Sequence, residues 1–339
     1  SQFNYYCVFH KKLSVNNTDI EAPLFYSDQV SQSYQLRIGK LEIINSRFNS
    51  KFIINNTASS SVLIEDTEFK SKFELKHSQI QSIKITNSNF ENVTDFYGTW
   101  FGTFGVQKSI FKEFVGFEHC EFNADSNSDK PTAFEHATFF DFASFRSAAF
   151  NAGIKISEAN FKNAPNFYDT EIEDSNTNRE SYRIIKHSFD SVGNKLEANK
   201  YYSLELNKYK DELFSKNTVK EKGLTAKALF EQRVVFVINS WGSNFGQSFI
   251  KPLIWIVGLM VVFAALVHGK QQNWLYKIAP EYNESIACIV NSINSFAKAL
   301  IPFTPLQKEG MEMLSLLFGV AFSVFIWLAI TAVKMNTRR

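Results

Sequence analysis

Residues 62–82 read VLIEDTEFKSKFELKHSQIQS, residues 83–103 IKITNSNFENVTDFYGTWFGT, and residues 104–124 FGVQKSIFKEFVGFEHCEFNA. Written one under another, the three 21-residue lines place their apolar side chains in the same columns. Extended in both directions, the motif starts at Leu41, Val62, Ile83, Phe104, Thr132 and Ile154, with a polar insertion at 125–131 delaying the fifth copy. The first inward column continues as Ile43, Ile64, Ile85, Val106, Phe134 and Ile156. The next is Phe48, Phe69, Phe90, Phe111, Phe139 and Phe161. Then come Ile54, Leu75, Phe96, Phe117, Phe145 and Phe167, and last Ser59, Ile80, Phe101, Phe122, Phe150 and Ile172. A fixed period of this length means stacked supersecondary units, none able to bury its apolar face alone.

Small residues run in register two places before the Phe column (Ser46, Thr67, Ser88, Ser109, Ala137, Ala159) and before the last (Thr57, Ser78, Thr99, Cys120, Ala148, Thr170). Large side chains fill the axis and small ones fit the corners. Four inward positions about five residues apart describe a coil with four sides. Six coils at the ~4.8 Å strand spacing make a rod of roughly 25 Å. The six-residue spacing on one side predicts a bulge there.

Thr67-Glu68-Phe69-Lys70-Ser71, Ser88-Asn89-Phe90-Glu91-Asn92 and Ala159-Asn160-Phe161-Lys162-Asn163 resemble the pentapeptide-repeat family. That resemblance implies a right-handed quadrilateral β-helix over residues 41–174. Residues 1–40 lack the register and are expected to form an N-terminal cap over the exposed end coil, a poorly matched first coil being the alternative.

The net charge is +2 over 339 residues. Residues 1–174 carry 16 basic against 22 acidic groups, so the repeat region is at −6. Such a surface argues against broad binding of duplex DNA. Cys7, Cys120 and Cys288 are scattered, which favours a reducing compartment over a disulfide framework. Cys120 falls in a small-residue column, a packing position. No nucleophile elbow, P-loop, dinucleotide fingerprint or metal-spaced histidine pair is present, so neither an enzyme nor a cofactor is expected.

Residues 175–215 change period. Tyr182, Ile185, Phe189 and Val192, then Leu196, Tyr201, Leu204 and Leu213, fit two amphipathic helices joined near Gly193. This hairpin would cap the lower end of the rod. It resembles the helical module that follows pentapeptide repeats in bacterial membrane proteins. Residues 216–248 read as a Lys-rich linker and an amphipathic helix ending at Trp241, which suits a membrane interface.

Residues 249–339 contain two stretches long enough to cross a bilayer, 252–267 and 313–333. Between them, 285–300 reads as a short half-apolar helix, followed by Ile301-Pro302-Phe303-Thr304-Pro305-Leu306. Outer helix, short helix, irregular segment, inner helix is the order of two-span tetrameric cation channels. The potassium filter motif is absent, and two prolines fix φ where that filter needs glycine. Phe303 and Thr304 are candidate pore residues, with Ser315, Gly319, Ser323 and Thr331 on the inner helix. Close packing of helices through small residues explains the same stripe. With no secretory leader read at the N-terminus, both termini are expected on the cytoplasmic side of a bacterial inner membrane.

On the repeat region Lys51, Lys70, Lys72, Lys76, Lys84 and Trp100 are candidates to hold a nucleotide or short oligonucleotide by charge and stacking. Solvated solenoid edges are the alternative. The expectation is a homo-oligomeric, tetrameric channel gated by a cytoplasmic ligand. Such a design also resembles antiphage effectors that depolarise the cell. A membrane-tethered scaffold that binds a protein is the competing reading.

Overall fold

A computed structural model describes residues 3–4, 8–26, 36–123, 130–215, 226–271 and 310–337. Its contacts divide the chain into two units, Ser1–Glu205 and Leu206–Arg339.

The first unit is a parallel β-solenoid. Long strands Val8–Asn16 (β1), Leu36–Ile44 (β2), Thr57–Glu65 (β3), Gln79–Thr86 (β4) and Trp100–Gln107 (β5) stack in order within a ten-stranded sheet. Two-residue strands form a seven-stranded and a five-stranded sheet on the remaining sides. The register pairs each column with itself, for instance Ile43 with Ile64 and Ile64 with Ile85. Every column residue is buried except Phe161 and Ile172, which lie half-buried in the final coil.

The Phe column explains why one residue type repeats so strictly. Phe48, Phe69, Phe90, Phe111, Phe139 and Phe161 stack ring on ring, with centroids 4.8 to 5.0 Å apart. That separation matches the ~4.8 Å between hydrogen-bonded strands, so backbone pairing and ring stacking are satisfied by one translation. Phe96, Phe117, Phe145 and Phe167 form a second stack, at 4.9 to 5.1 Å.

The corners account for the small residues. Asn45, Asp66, Asn87, Lys108 and His136 hold positive φ at one corner, and Asn56, His77, Gly98, His119, Ser147 and Asp169 at another. Asn and Asp tolerate this region because a short polar side chain bonds locally. The residue after each is the small one. Ser88 illustrates its role. The hydroxyl donates to Thr86 O at 2.8 Å and accepts the Thr67 N–H of the previous coil at 3.2 Å. Ser78 does the same toward Lys76 O and the Thr57 N–H. The hydroxyl ladder thus replaces backbone pairing where the chain bends.

Three expectations change. First, the four sides do not remain separate. Only two residues separate the Ser59 column from the next copy's start, too few to turn, so two sides run together as one long strand in β3, β4 and β5. They separate at the insertion, which divides Glu121–Phe122 from Thr132–Glu135. Second, the six-residue spacing hides an inward column instead of a bulge: Phe52, Phe73, Thr94, Val115 and Ala143 are all buried. Third, residues 8–26 are a coil rather than a separate cap. Leu13 pairs with Leu41 and Val15 with Ile43, and Asp19–Ile20 stacks on Arg47–Phe48. Leu13 and Val15 stand 28 residues before their partners instead of 21, which disguises the period, and the register shifts once more between Phe9 and Lys12.

At the other end, Arg179–Ser191 (α1) and the start of Lys195–Phe214 (α2) join the solenoid core through Tyr182, Ile185, Phe189, Ala198 and Tyr201. Asn178 caps α1 by accepting the Ser181 N–H. The last coil's open backbone is met by side chains: Ile154 N–H donates to Thr177 Oγ1 at 3.1 Å and Ile156 N–H to Ser181 Oγ at 3.0 Å.

The second unit holds the end of α2 with Ala226–Ser243 (α3), Ile250–Gln271 (α4) and Glu312–Thr337 (α5). Arg233 of α3 donates to Leu213 O at 2.8 and 3.1 Å and lies over the Phe214 ring, which closes the C-terminus of α2. Trp255 stacks on Phe325 and Phe263 meets Phe318. The rising partner against the falling one makes α4 and α5 antiparallel.

Candidate functional site

The six ligand candidates do not converge. Lys51 and Lys72 flank the five-stranded sheet beside Phe52 and Phe73, and Lys70 follows Glu68–Phe69, an inner strand of the seven-stranded one. Lys84 and Trp100 share the ten-stranded sheet, but Lys84 pairs with Gly105, five residues beyond Trp100, roughly 16 Å along the strand.

Two of the lysines neutralise a carboxylate instead of waiting for a ligand. Glu74 is only 6% exposed. Lys72 Nζ lies 2.5 Å and Lys76 Nζ 3.1 Å from its Oε1, and Asn55 Nδ2 donates to Oε2 at 3.1 Å. Lys76 also reaches Asp95 at 3.4 Å. Desolvation acts to raise the Glu74 pKa, but the hydrogen bonds from Lys72, Asn55 and Lys76 outweigh it and hold the carboxyl below its ordinary value. For Lys76 desolvation pulls down, and Glu74 with Asp95 pushes the net value up. This cluster is a satisfied corner of the solenoid. Cys120 is equally structural: its thiol donates to Phe96 O, and burial pushes its pKa far up, so it has little nucleophilic character.

Trp100 has different company. It borders a groove of about 690 Å³ on the outer face of the long strands, with Arg37, Gln79 and Gln81. Spacing in the sequence does not single out those three, because lone polar residues in outward columns look like ordinary solvated positions. Their alignment needs the stacking register, in which Arg37, Ala58, Gln79 and Trp100 fall in one column.

In the second unit, α5 is long and apolar enough to cross a membrane. At 26 residues it measures about 39 Å, beyond the ~30 Å hydrocarbon thickness. Ile250–Phe263 within α4 is a shorter apolar stretch. The outer surface of the pair is apolar, including Ile254, Val257 and Val261 on α4 and Leu317, Val320, Ile326, Trp327 and Ile330 on α5. An exposed apolar surface of this extent marks a lipid or protein contact. On α3, Phe230 (67% exposed) and Trp241 (68%) lead a bare stripe with Val234 and Ile238, while Leu229 faces inward.

The inner-helix stripe is split among environments. Ser315 is buried, and among the described residues its Oγ has no hydrogen-bond partner; Gly319 and Thr331 are half-buried. Ser323 is exposed and its hydroxyl donates to Gly319 O at 2.9 Å. Steps of four residues advance roughly 40° past a full turn, so the stripe winds out of the face that packs Phe322, Leu328 and Ala332. Phe303, Thr304 and the proposed short helix 285–300 lie outside the described residues.

No family model, characterised protein or solved structure matches the chain. The functional reading therefore rests on the chain's own geometry. Among the described residues no group of three His, Cys, Asp or Glu could hold a metal ion.

Proposed function

We propose that this chain is a subunit of a homo-oligomeric membrane ion channel, with tetramer as the working stoichiometry, gated by a ligand that the solenoid senses. In this reading residues 252–267 and 313–333 both span the membrane, the segment 301–306 sits at the oligomer axis, and both termini face the cytoplasm. The solenoid is a degenerate pentapeptide-repeat β-helix. The observation that carries the reading is the antiparallel pair α4 and α5, whose apolar exterior requires lipid or further copies around it. A buried Ser315 hydroxyl without a partner among the described residues supports a role for that helix face in an assembly, since a buried polar group left alone costs about 1–3 kcal/mol. The exposed apolar stripe on α3 suits the membrane interface. A ligand opens such a channel only by binding one conformation better than the other.

Planar-bilayer recording of the purified full-length chain tests this, with Ser323→Trp as the blocked variant. Ligand-dependent current that Ser323→Trp abolishes is the expected result. A silent bilayer across voltages and ribonucleotides, or a monomer in detergent, removes the channel.

A second reading is a membrane-tethered scaffold. It is favoured by the exposed rings of Phe140, Phe142 and Tyr168 on the solenoid, which suit a protein partner. Protein capture by the full-length chain that is lost in Phe140→Ala/Phe142→Ala, without any conductance, supports the scaffold.

A further inference from the structure

The outer face of the long strands carries a groove whose chemistry is not that of a plain solenoid edge. Its floor is made of small residues. Gly39 lies directly beneath the bulge of β1, and a Cβ there would collide with the carbonyl oxygens of His10 and Lys11. Ala58 leaves the next step open. Arg37 stands on one side of Ala58 in the same column, and Gln79 then Trp100 stand on the other. Three strand steps separate Arg37 from Trp100, roughly 14 Å.

Three features point to an anionic ligand with a flat ring. Among the described residues no carboxylate lines the groove, while Arg37 and His10 do. Within the same set Arg37 forms no ion pair, whereas Arg47, one coil side away, is held by Glu68 at 2.7 Å. A guanidinium left open beside a cavity is a ready partner for phosphate. Trp100 lies half-buried at the far end, between Gln79 and Glu121 in the column, and among the described residues makes no ring contact with another aromatic. Gln79 stands between them in the column and Gln81 two residues further along the same strand, and among the described residues both amides are uncommitted, the equipment for reading a base edge. At about 690 Å³ the groove falls within the range of small-molecule sites.

We infer that this groove binds a nucleoside phosphate, with the phosphate on Arg37, the base stacked on Trp100, and Gln79 and Gln81 along the ring edge. This rests on the reading of the solenoid as the sensing arm, and it moves the ligand site away from the lysines. The site is compatible with a small nucleotide rather than a long strand, because the −6 balance of residues 1–174 opposes a longer polyanion.

The test is calorimetry on the full-length protein in detergent with the four ribonucleoside 5′-monophosphates, adenosine and inorganic phosphate as probes. At least one monophosphate should bind at one site per chain. Arg37→Ala, an exposed side chain whose loss spares the core, should weaken it about tenfold or more, and should leave adenosine unaffected. Trp100→Ala should weaken nucleotide and adenosine alike, roughly five- to 150-fold. Trp100→Phe keeps a ring and should recover most of that loss; if both Trp100 variants fail to fold, Arg37→Ala decides alone. Absence of binding by all four monophosphates overturns the site, as does binding that Arg37→Ala leaves unchanged. Inorganic phosphate binding as tightly as the nucleotides overturns the ligand class. Nucleotide binding in a protein without conductance keeps the groove and removes the channel. Gated conductance with no nucleotide binding does the reverse.

Discussion

Ser181 Oγ accepts the backbone N–H of Ile156 at 3.0 Å, and both groups are buried. A residue in the first turn of a helix thus completes the hydrogen bonding of the final coil. Beside it, Thr177 Oγ1 accepts the Ile154 N–H and donates to Glu173 O at 2.7 Å. The C-terminal end of a solenoid is an open sheet edge, and such edges invite pairing with other chains. Here two hydroxyls and the Tyr182 ring close it.

Replacing Ser181 with Ala leaves the Ile156 N–H buried without an acceptor. The expected loss is about 1–3 kcal/mol of solenoid stability, read as a lower denaturation midpoint, with increased aggregation from the opened edge. Arg183→Ala, on the exposed side of α1, should change the midpoint little.

The aromatic stacks predict a strong position dependence. Phe117 lies between Phe96 and Phe145 at 5.0 and 5.1 Å and is fully buried. Phe117→Ala should cost about 3–5 kcal/mol. Phe142 carries the same side chain but is exposed, and Phe142→Ala should stay within about 0.5–1 kcal/mol. Equal effects from the two would contradict the stacking assigned to the core.

Gly98 has φ +64° and closes the turn 96–99, with Thr99 N–H donating to Phe96 O. A Cβ there would meet His77 Nδ1 at 2.8 Å. Gly98→Ala should therefore destabilise by about 1–2 kcal/mol, from backbone strain and contact together. Adding His77→Ala should recover the contact part only, so a double-mutant cycle gives a non-zero coupling. Strict additivity would count against this contact.

Glu74 makes acid stability measurable at one corner. Desolvation would raise its pKa, but Lys72, Asn55 and Lys76 hold it below the ordinary value. A group whose folded pKa is depressed contributes stability above the unfolded value, and that contribution is lost as pH falls through the folded value. Wild type should lose more stability than Glu74→Gln as pH falls below the ordinary carboxylate range. Denaturant titrations at several pH values provide the check, and parallel curves for the two proteins would refute the assignment.

Ile326 lies on the bare face of α5, near the middle of that helix. Ile326→Lys should disfavour insertion by about 2.5–3.5 kcal/mol if lipid covers this face. The measurement is the fraction of full-length protein retained in membranes after alkaline extraction. Lys334→Ala, near the helix end, should be retained as wild type is. A lysine at 326 that leaves retention unchanged would place that face against water or protein instead.

Much of the solenoid is legible from residue spacing because each core position must meet its copy one coil away. The Phe48 to Phe161 column is readable in full, and the rings do stack. What spacing conceals is local. The Phe52 column is hidden because it degrades from Phe through Thr94 to Ala143, so composition no longer marks it. The coil at residues 8–26 is hidden because its column residues stand 28 positions before their partners, as Leu13 does before Leu41, where the next coils keep 21. The merging of two sides into β3, β4 and β5 depends on a two-residue gap being too short to turn.

The candidate site follows the opposite pattern. Lysine is legible as charge, but only the fold reveals that Lys72 and Lys76 are committed to Glu74. Arg37 and Trp100 stand 63 positions apart in the chain, and three strand steps bring them into one column. Periodicity by itself determined that this chain stacks on itself, because burial repeats with the coil. Which outward side chains share a groove, and which are neutralised at a corner, was decided by tertiary register, since outward positions carry no burial pattern from which partners can be read.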